Sequence, residues 1–193
     1  PPALQVNHLT HAYVLKQLID KLRAGKIGGI KFNKVVLVGH SFGSYVSLIT
    51  AGKYQNVDGV IITGLTHTFN GISAVKFLTM RTPAQLDPVL KNDHYPLGYW
   101  TLSKTVRKIF YEADNVDPKI YEIDNQTKGT GTEAEIAVLQ EALLPIFTSQ
   151  VRAPMFLVMG EKDQLFCSSL FPCTDAKTIL AREKLIYPHV EKL

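Results

Sequence analysis

Residues 35–43 read Val35-Val36-Leu37-Val38-Gly39-His40-Ser41-Phe42-Gly43, and they decide how the rest of the chain is read. Four apolar residues, three of them β-branched, run into Gly-His-Ser-Phe-Gly. An apolar helical pattern follows, with Tyr45, Val46, Leu48 and Ile49, ending near Gly52. An unbroken apolar run suits a strand buried on both faces of a parallel sheet, where polar alternation is absent. Ser41 then falls on a sharp strand-to-helix turn. Glycines stand two residues to either side, where a larger side chain is expected to clash. Such a turn lifts the serine oxygen above the sheet edge and aims a helix N-terminus at it.

Working outward, residues 57–64 carry a second buried-strand signal rich in β-branched side chains. Strand, helix and strand within about thirty residues make a βαβ unit, with parallel pairing and a right-handed crossover. Upstream, residues 8–24 read as an amphipathic helix. Leu9, Tyr13, Val14, Leu18, Ile19 and Leu22 share its apolar face, and Gly25 stops it. Downstream, Thr132 and Glu135 form a capping box for a helix through Leu144 that Pro145 bends or ends. A third strand is expected over residues 155–159, closed by Gly160-Glu161-Lys162-Asp163, and a last helix over about 174–185. The fold class is α/β with a mainly parallel sheet.

The bulk numbers suit one globular domain. The chain has 193 residues, 46% hydrophobic and 20% charged, enough to bury a real core. Its net charge of +4 is spread along the chain without a run of lysine or arginine. That leaves no nucleic-acid or membrane-surface footprint in the charge pattern. No apolar stretch approaches the ~18 residues that span a bilayer, and no signal-peptide pattern opens the chain. It begins Pro1-Pro2 without methionine, as at a processing site or the edge of a fragment. Cys167 and Cys173 lie in one short segment with Pro172 between them. They read as reduced thiols, the alternative being a local disulfide and an oxidising compartment. Two thiolates with no nearby histidine do not complete a zinc site, so no metal is expected.

Residues 65–132 break the pattern, with many aromatics (Phe69, Tyr95, Tyr99, Trp100, Phe110, Tyr111) and scattered prolines. They are expected to form short helices and loops over the strand ends, a cap shaping an apolar acyl or aromatic pocket over Ser41. The alternative is a helical layer that fills only its own core. On this reading residues 1–64 and 151–193 are a core and residues 65–150 a helical cap insertion.

A serine hydroxyl becomes a nucleophile only with a base to take its proton, a carboxylate to orient the base, and donors for the oxyanion. The Gly-x-Ser-x-Gly turn resembles the nucleophile elbow of the α/β-hydrolase superfamily, where these groups follow the order Ser, Asp or Glu, His. Ser41 takes the first place, and the Phe42 N–H supplies an oxyanion donor. Asp163, three residues past a strand in Gly-x-x-Asp, takes the acid's place. Its alternative role is a turn carboxylate capping the next segment, with Glu161 the runner-up acid. His8, His11, His40, His67 and His94 all precede Asp163. His189 alone follows it, directly after Pro188 and without a preceding strand.

The resemblance extends further. Much of residues 8–193 is similar to a group of fungal α/β-hydrolases. Shared features are Leu22-Arg23-Ala24-Gly25, Pro96-Leu97-Gly98-Tyr99, Phe110-Tyr111, Thr130-Gly131-Thr132-Glu133, the Gly160-Glu161-Lys162-Asp163 turn and Tyr187-Pro188. In such proteins a further strand and a Gly-His turn carrying the base follow Tyr-Pro, and earlier strands bring a second oxyanion donor. Neither is present here. The resemblance implies an incomplete α/β-hydrolase fold and a serine-dependent hydrolase of carboxylic esters or related acyl compounds, its base outside this chain. It implies no cofactor. The alternatives are a non-catalytic module binding an apolar ligand on the same fold, or an inactive fragment.

Overall fold

The computed structural model describes residues 1–191, apart from the side chain of Ala142. In chain order the elements are α1 His8–Arg23, β1 Val36–His40, α2 Phe42–Tyr54, β2 Gly59–Thr63, α3 Gly71–Thr79, β3 Arg81–Pro83, β4 Tyr99–Leu102, α4 Lys104–Arg107, α5 Pro118–Thr127, β5 Gly131–Thr132, α6 Leu139–Leu143, β6 Met155–Val158 and α7 Ala176–Ile186. They form two compact units. One comprises His8–His67, Ala137–Gly160 and Asp175–Leu193; the other comprises Pro1–Asn7, Thr68–Ile136 and Glu161–Thr174.

The first unit is built on a parallel sheet in the order β1-β2-β6. Val36 to His40 lie opposite Gly59 to Thr63, and Val60 to Thr63 lie opposite Met155 to Val158. The expected βαβ crossover is therefore present, with α2 as its helix. Leu37, Val60, Ile62 and Met155 are buried together with Leu48 and Ile49 of α2. The other side of the sheet differs from expectation. Val38 is 69% exposed and Phe156 63%, so β1 alternates and only one of its faces is covered. The reason is that α2 packs on the Leu37–Gly39 side of the sheet, and no described element buries the opposite side.

Helix α1 also departs from its expected face. Ala12 and Ile19 are buried, whereas Tyr13, Val14 and Leu18 are exposed. Ala12 is too small for a hydropathy pattern to single out, yet a small side chain lets α1 approach α2. There the Thr50 hydroxyl donates to the Val46 carbonyl at 2.7 Å and reaches the Ala12 carbonyl at 3.5 Å. Gly25 ends α1 at φ +70°, the left-handed conformation that favours glycine. Asp58 then ties the foot of the sheet. Its carboxylate accepts from the Val35 N–H at 2.9 Å, from Arg23 at 2.5 Å and from Lys34 at 3.1 Å. These donors, the Val35 N–H foremost, hold the Asp58 carboxyl well below the usual carboxylate range.

The second unit contains an antiparallel sheet, β3-β4-β5, where short helices and loops alone were expected. Strands of two to four residues are too short to display alternation. Thr132 and Glu135 make the expected capping box: the Thr132 N–H donates to Glu135 at 2.7 Å, and the Glu135 N–H to the Thr132 hydroxyl at 3.2 Å. The turn it opens is a 3-10 helix, Glu133–Val138, that leads into α6. Inside this unit Lys128 and Asp87 form a buried ion pair at 2.6 Å. Asn125 and the Leu102 carbonyl take the remaining lysine protons, which is what a buried ammonium requires.

Cys167 and Cys173 are joined in a disulfide, correcting the reading of two reduced thiols. The Ser168 and Phe171 backbones bond to each other in both directions, at 3.0 and 3.2 Å. That turns the loop back and brings the cysteine Cα atoms to 5.6 Å, within bonding range. Among the described residues no helix is long and apolar enough to cross a membrane.

Candidate active site

Ser41 stands between the end of β1 and the start of α2 at φ +50°, ψ −120°. A residue with a Cβ rarely adopts this backbone, and it persists only where the surroundings over-determine it. Here they do. The Ser41 N–H donates to the Thr63 carbonyl at 2.9 Å, and the Ser41 carbonyl accepts from Ser44 at 2.9 Å and Tyr45 at 3.4 Å. The Ser44 hydroxyl donates to the same Thr63 carbonyl at 3.0 Å and accepts the Thr63 N–H at 3.1 Å. One end of β2 thus grips both sides of the turn.

The flanking glycines do unequal work. A Cβ on Gly39 would lie 2.5 Å from the Gly43 oxygen and 2.6 Å from Ser44 Cα, so only glycine lets α2 start this close to β1. A Cβ on Gly43 would meet nothing within 4 Å. The expected steric need at Gly43 is therefore corrected: the close approach is made by Gly39 toward the backbone of Gly43 and Ser44.

Ser41 is half-buried, and its hydroxyl makes no hydrogen bond among the described residues. The Phe42 N–H, first of α2, has no acceptor within its helix and points from the positive end of the helix dipole. The Phe42 ring meets His11 of α1 edge-on, with centroids 5.8 Å apart. The turn presents a serine oxygen and a free backbone donor together, the arrangement used for acyl transfer.

Asp163 belongs to the other unit and sits in the turn after β6. Its Oδ1 accepts the N–H groups of Leu165 at 2.8 Å and Phe166 at 3.0 Å, and its carbonyl accepts the Cys167 N–H at 3.1 Å. These are the bonds of a capping aspartate. Its Oδ2 makes no hydrogen bond among the described residues. Glu161, two residues earlier, is exposed.

The histidines divide sharply. His40 bonds through Nδ1 to the Thr63 hydroxyl at 2.8 Å on the surface. His8 is half-buried, and burial pushes its imidazole pKa down. His94 and His189 are exposed. His67 is enclosed: its Nδ1 lies 2.8 Å from Glu183 Oε2, its backbone N–H donates to Glu183 Oε1 at 2.9 Å, and its Nε2 lies 3.2 Å from the Thr148 hydroxyl. Tyr45 and Tyr187 stand edge-on to the ring at 6.0 and 5.3 Å. Burial first, and then the nearby Glu183 carboxylate, pushes both phenol pKa values up. With both ring nitrogens occupied inside the protein, His67 holds structure together.

Glu183 is the residue that sequence reasoning missed. Ile179, Glu183 and Tyr187 recur every four residues at the end of the chain and are all buried. A glutamate inside an apolar stripe was the available signal. Among the described residues, no group of three or more His, Cys, Asp or Glu side chains is placed to hold a metal ion. Comparison with protein-family models finds none that matches the chain, and comparison with curated proteins finds no matching sequence.

Proposed function

We propose that this chain carries the nucleophile of an α/β-hydrolase-type serine hydrolase acting on carboxylic esters or related acyl compounds. One observation carries the reading: a non-glycine residue, a serine, is held at positive φ between a parallel strand and the helix that follows it. Ser41 attacks the carbonyl and the Phe42 N–H steadies the oxyanion. Asp163 keeps the acid's role from its Gly-x-x-Asp place after β6. On this reading the proton goes to a histidine supplied from outside residues 1–193; within them, His67 is committed to Glu183 and Thr148, and His40 to Thr63. Residues 1–64 and 151–193 are the hydrolase core on this proposal, and residues 65–150 the cap; no cofactor is required. The unpartnered Ser41 hydroxyl favours one second reading, the same fold binding an acyl ligand without hydrolysing it.

The test is fluorophosphonate labelling of the product of the complete reading frame, with Ser41→Ala as control. Labelling that disappears in the alanine variant is the expected result. A folded product without Ser41-dependent labelling overturns hydrolysis in favour of ligand binding.

Asp163 offers a finer test. Asparagine keeps an Oδ1 acceptor for Leu165 and Phe166, so Asp163→Asn should fold normally while ester turnover falls by about 10⁴-fold, as acid-to-amide changes do in a well-studied triad. A loss below about tenfold, ~1.4 kcal/mol, would pass the acid's role to Glu161.

A further inference from the structure

Helix α5 ends on Asn125-Gln126-Thr127, the Asn-x-Ser/Thr triplet that accepts N-linked sugar, and no other asparagine in the chain has Ser or Thr two positions on. The triplet alone is common. What decides whether it can serve is which atoms of the asparagine the fold already uses, and here it uses one. Asn125 Oδ1 accepts from the Lys128 ammonium at 3.0 Å, inside the cage that also holds Lys128 to Asp87 and the Leu102 carbonyl. An ammonium has only protons to give, so the amide must turn its oxygen inward. Nδ2 is therefore the outer atom. It makes no hydrogen bond among the described residues and is not one of their buried unpaired polar atoms, so it meets water although Asn125 as a whole is half-buried. Gln126 and Thr127 beside it are exposed, as are Glu122 and Ile123 in the turn before. The Thr127 hydroxyl stays at the surface, donating to the Ile123 carbonyl at 2.8 Å.

The Cys167–Cys173 disulfide points the same way. Disulfides form and persist in oxidising compartments, along the secretory route on which surface asparagines of this triplet are glycosylated. We propose that Asn125 is an N-glycosylation site, its Nδ2 carrying an oligosaccharide delivered from a polyisoprenyl diphosphate donor. In the transfer the bond from the sugar C1 to the diphosphate oxygen breaks as a C1–Nδ2 bond forms. The lipid diphosphate leaves, one Nδ2 proton passes to water, and nothing is oxidised or reduced. The product is still an amide, so Oδ1 keeps its lone pairs and Lys128 keeps its partner. Modification and the buried ion pair coexist because they use opposite atoms of one side chain. The triplet is the last turn of α5, where the backbone leaves the helix at Lys128. Helix ends fray, which lets the segment open to a transferase. Glycosylation at Asn125 goes beyond the hydrolase reading and stands whether or not Ser41 is a nucleophile.

The product of the complete reading frame, isolated from the cells that make it, gives the test. Peptide-N-glycosidase in heavy-oxygen water should turn residue 125 into aspartate carrying the heavy oxygen, read by peptide mass spectrometry, and untreated protein should yield no such peptide. Thr127→Ala, produced in the same cells, should lose the sugar at residue 125, and Thr127→Ser should keep it, since the hydroxyl is what the triplet requires. Asn125→Asp keeps an oxygen toward Lys128, so it should show the parent's circular dichroism while migrating on a denaturing gel like Thr127→Ala. Ser41→Ala should be modified like the parent, which separates this result from the fate of the hydrolase reading. A bare residue 125 in the protein from its own cells overturns the proposal, whether or not sugar is found on asparagines outside residues 1–193. Sugar at residue 125 that survives Thr127→Ala also overturns it, because the triplet would not be what is recognised.

Discussion

Gly39→Val is expected to leave no folded protein, whereas Gly43→Ala should unfold at nearly the parent's denaturant midpoint. The two glycines look equivalent in Gly-x-Ser-x-Gly, and the structure separates them. A Cβ at position 39 would overlap the Gly43 oxygen, the Gly43 carbonyl carbon at 2.7 Å and Ser44 Cα, all of them backbone that cannot rotate away. Relief requires moving the start of α2 off β1. That motion breaks the Ser41 and Ser44 bonds to Thr63 and opens the core around Leu48, Ile49 and Ile62. Substitutions that both overpack a core and break its hydrogen bonds belong to the rare class costing more than ~4 kcal/mol, comparable with the whole stability of many domains. At position 43 the added methyl meets open space, and alanine is a better helix former than glycine by up to ~1 kcal/mol. Circular dichroism with urea titration of both variants checks this. A Gly39→Val protein with the parent's midpoint would mean that α2 does not start where Ser41 requires it to.

What the sequence made legible was whatever repeats or breaks a rule locally. The apolar run before Ser41, the β-branched run at 59–63 and the helix between them announced a parallel pair, and the pairing follows in register. Thr132 and Glu135 announced their own reciprocal bonds. Long-range partners left weaker traces. The β3-β4-β5 sheet is made of strands too short to alternate. The disulfide depends on a loop turning back through Ser168 and Phe171, which the spacing of Cys167 and Cys173 allows and does not require. The bare side of β1 illustrates a different limit: Val36 and Val38 are written for burial, and a hydropathy pattern says that a face seeks cover without saying what covers it. In the candidate site, the strand-to-helix turn at Ser41 was legible because its geometry is local to five residues. The role of His67 was not, because its partner Glu183 lies 116 residues away.

That distant pair supports the second large effect. Glu183→Ala should destabilise the protein by several kcal/mol, because it leaves two buried donors of His67 unsatisfied at about 1–3 kcal/mol each. Both side chains are nearly solvent-free, at 3% and 1% exposure, so water cannot replace what is lost. One carboxylate satisfies two donors of the same residue, the His67 backbone N–H and its ring, and so fastens α7 to the loop that follows β2. Alanine strands both and leaves a hole beside Tyr187. Glu183→Gln should cost less, because its amide oxygen can still accept the His67 N–H. The double variant His67→Leu/Glu183→Leu should recover part of the loss by replacing the polar pair with apolar volume. It should not recover all, because the residue 67 N–H remains buried without its acceptor. Urea denaturation of the three variants tests that order. If Glu183→Ala unfolds at the parent's midpoint, α7 is held by its apolar contacts alone, and His67 is free of the structural commitment that removes it from catalysis.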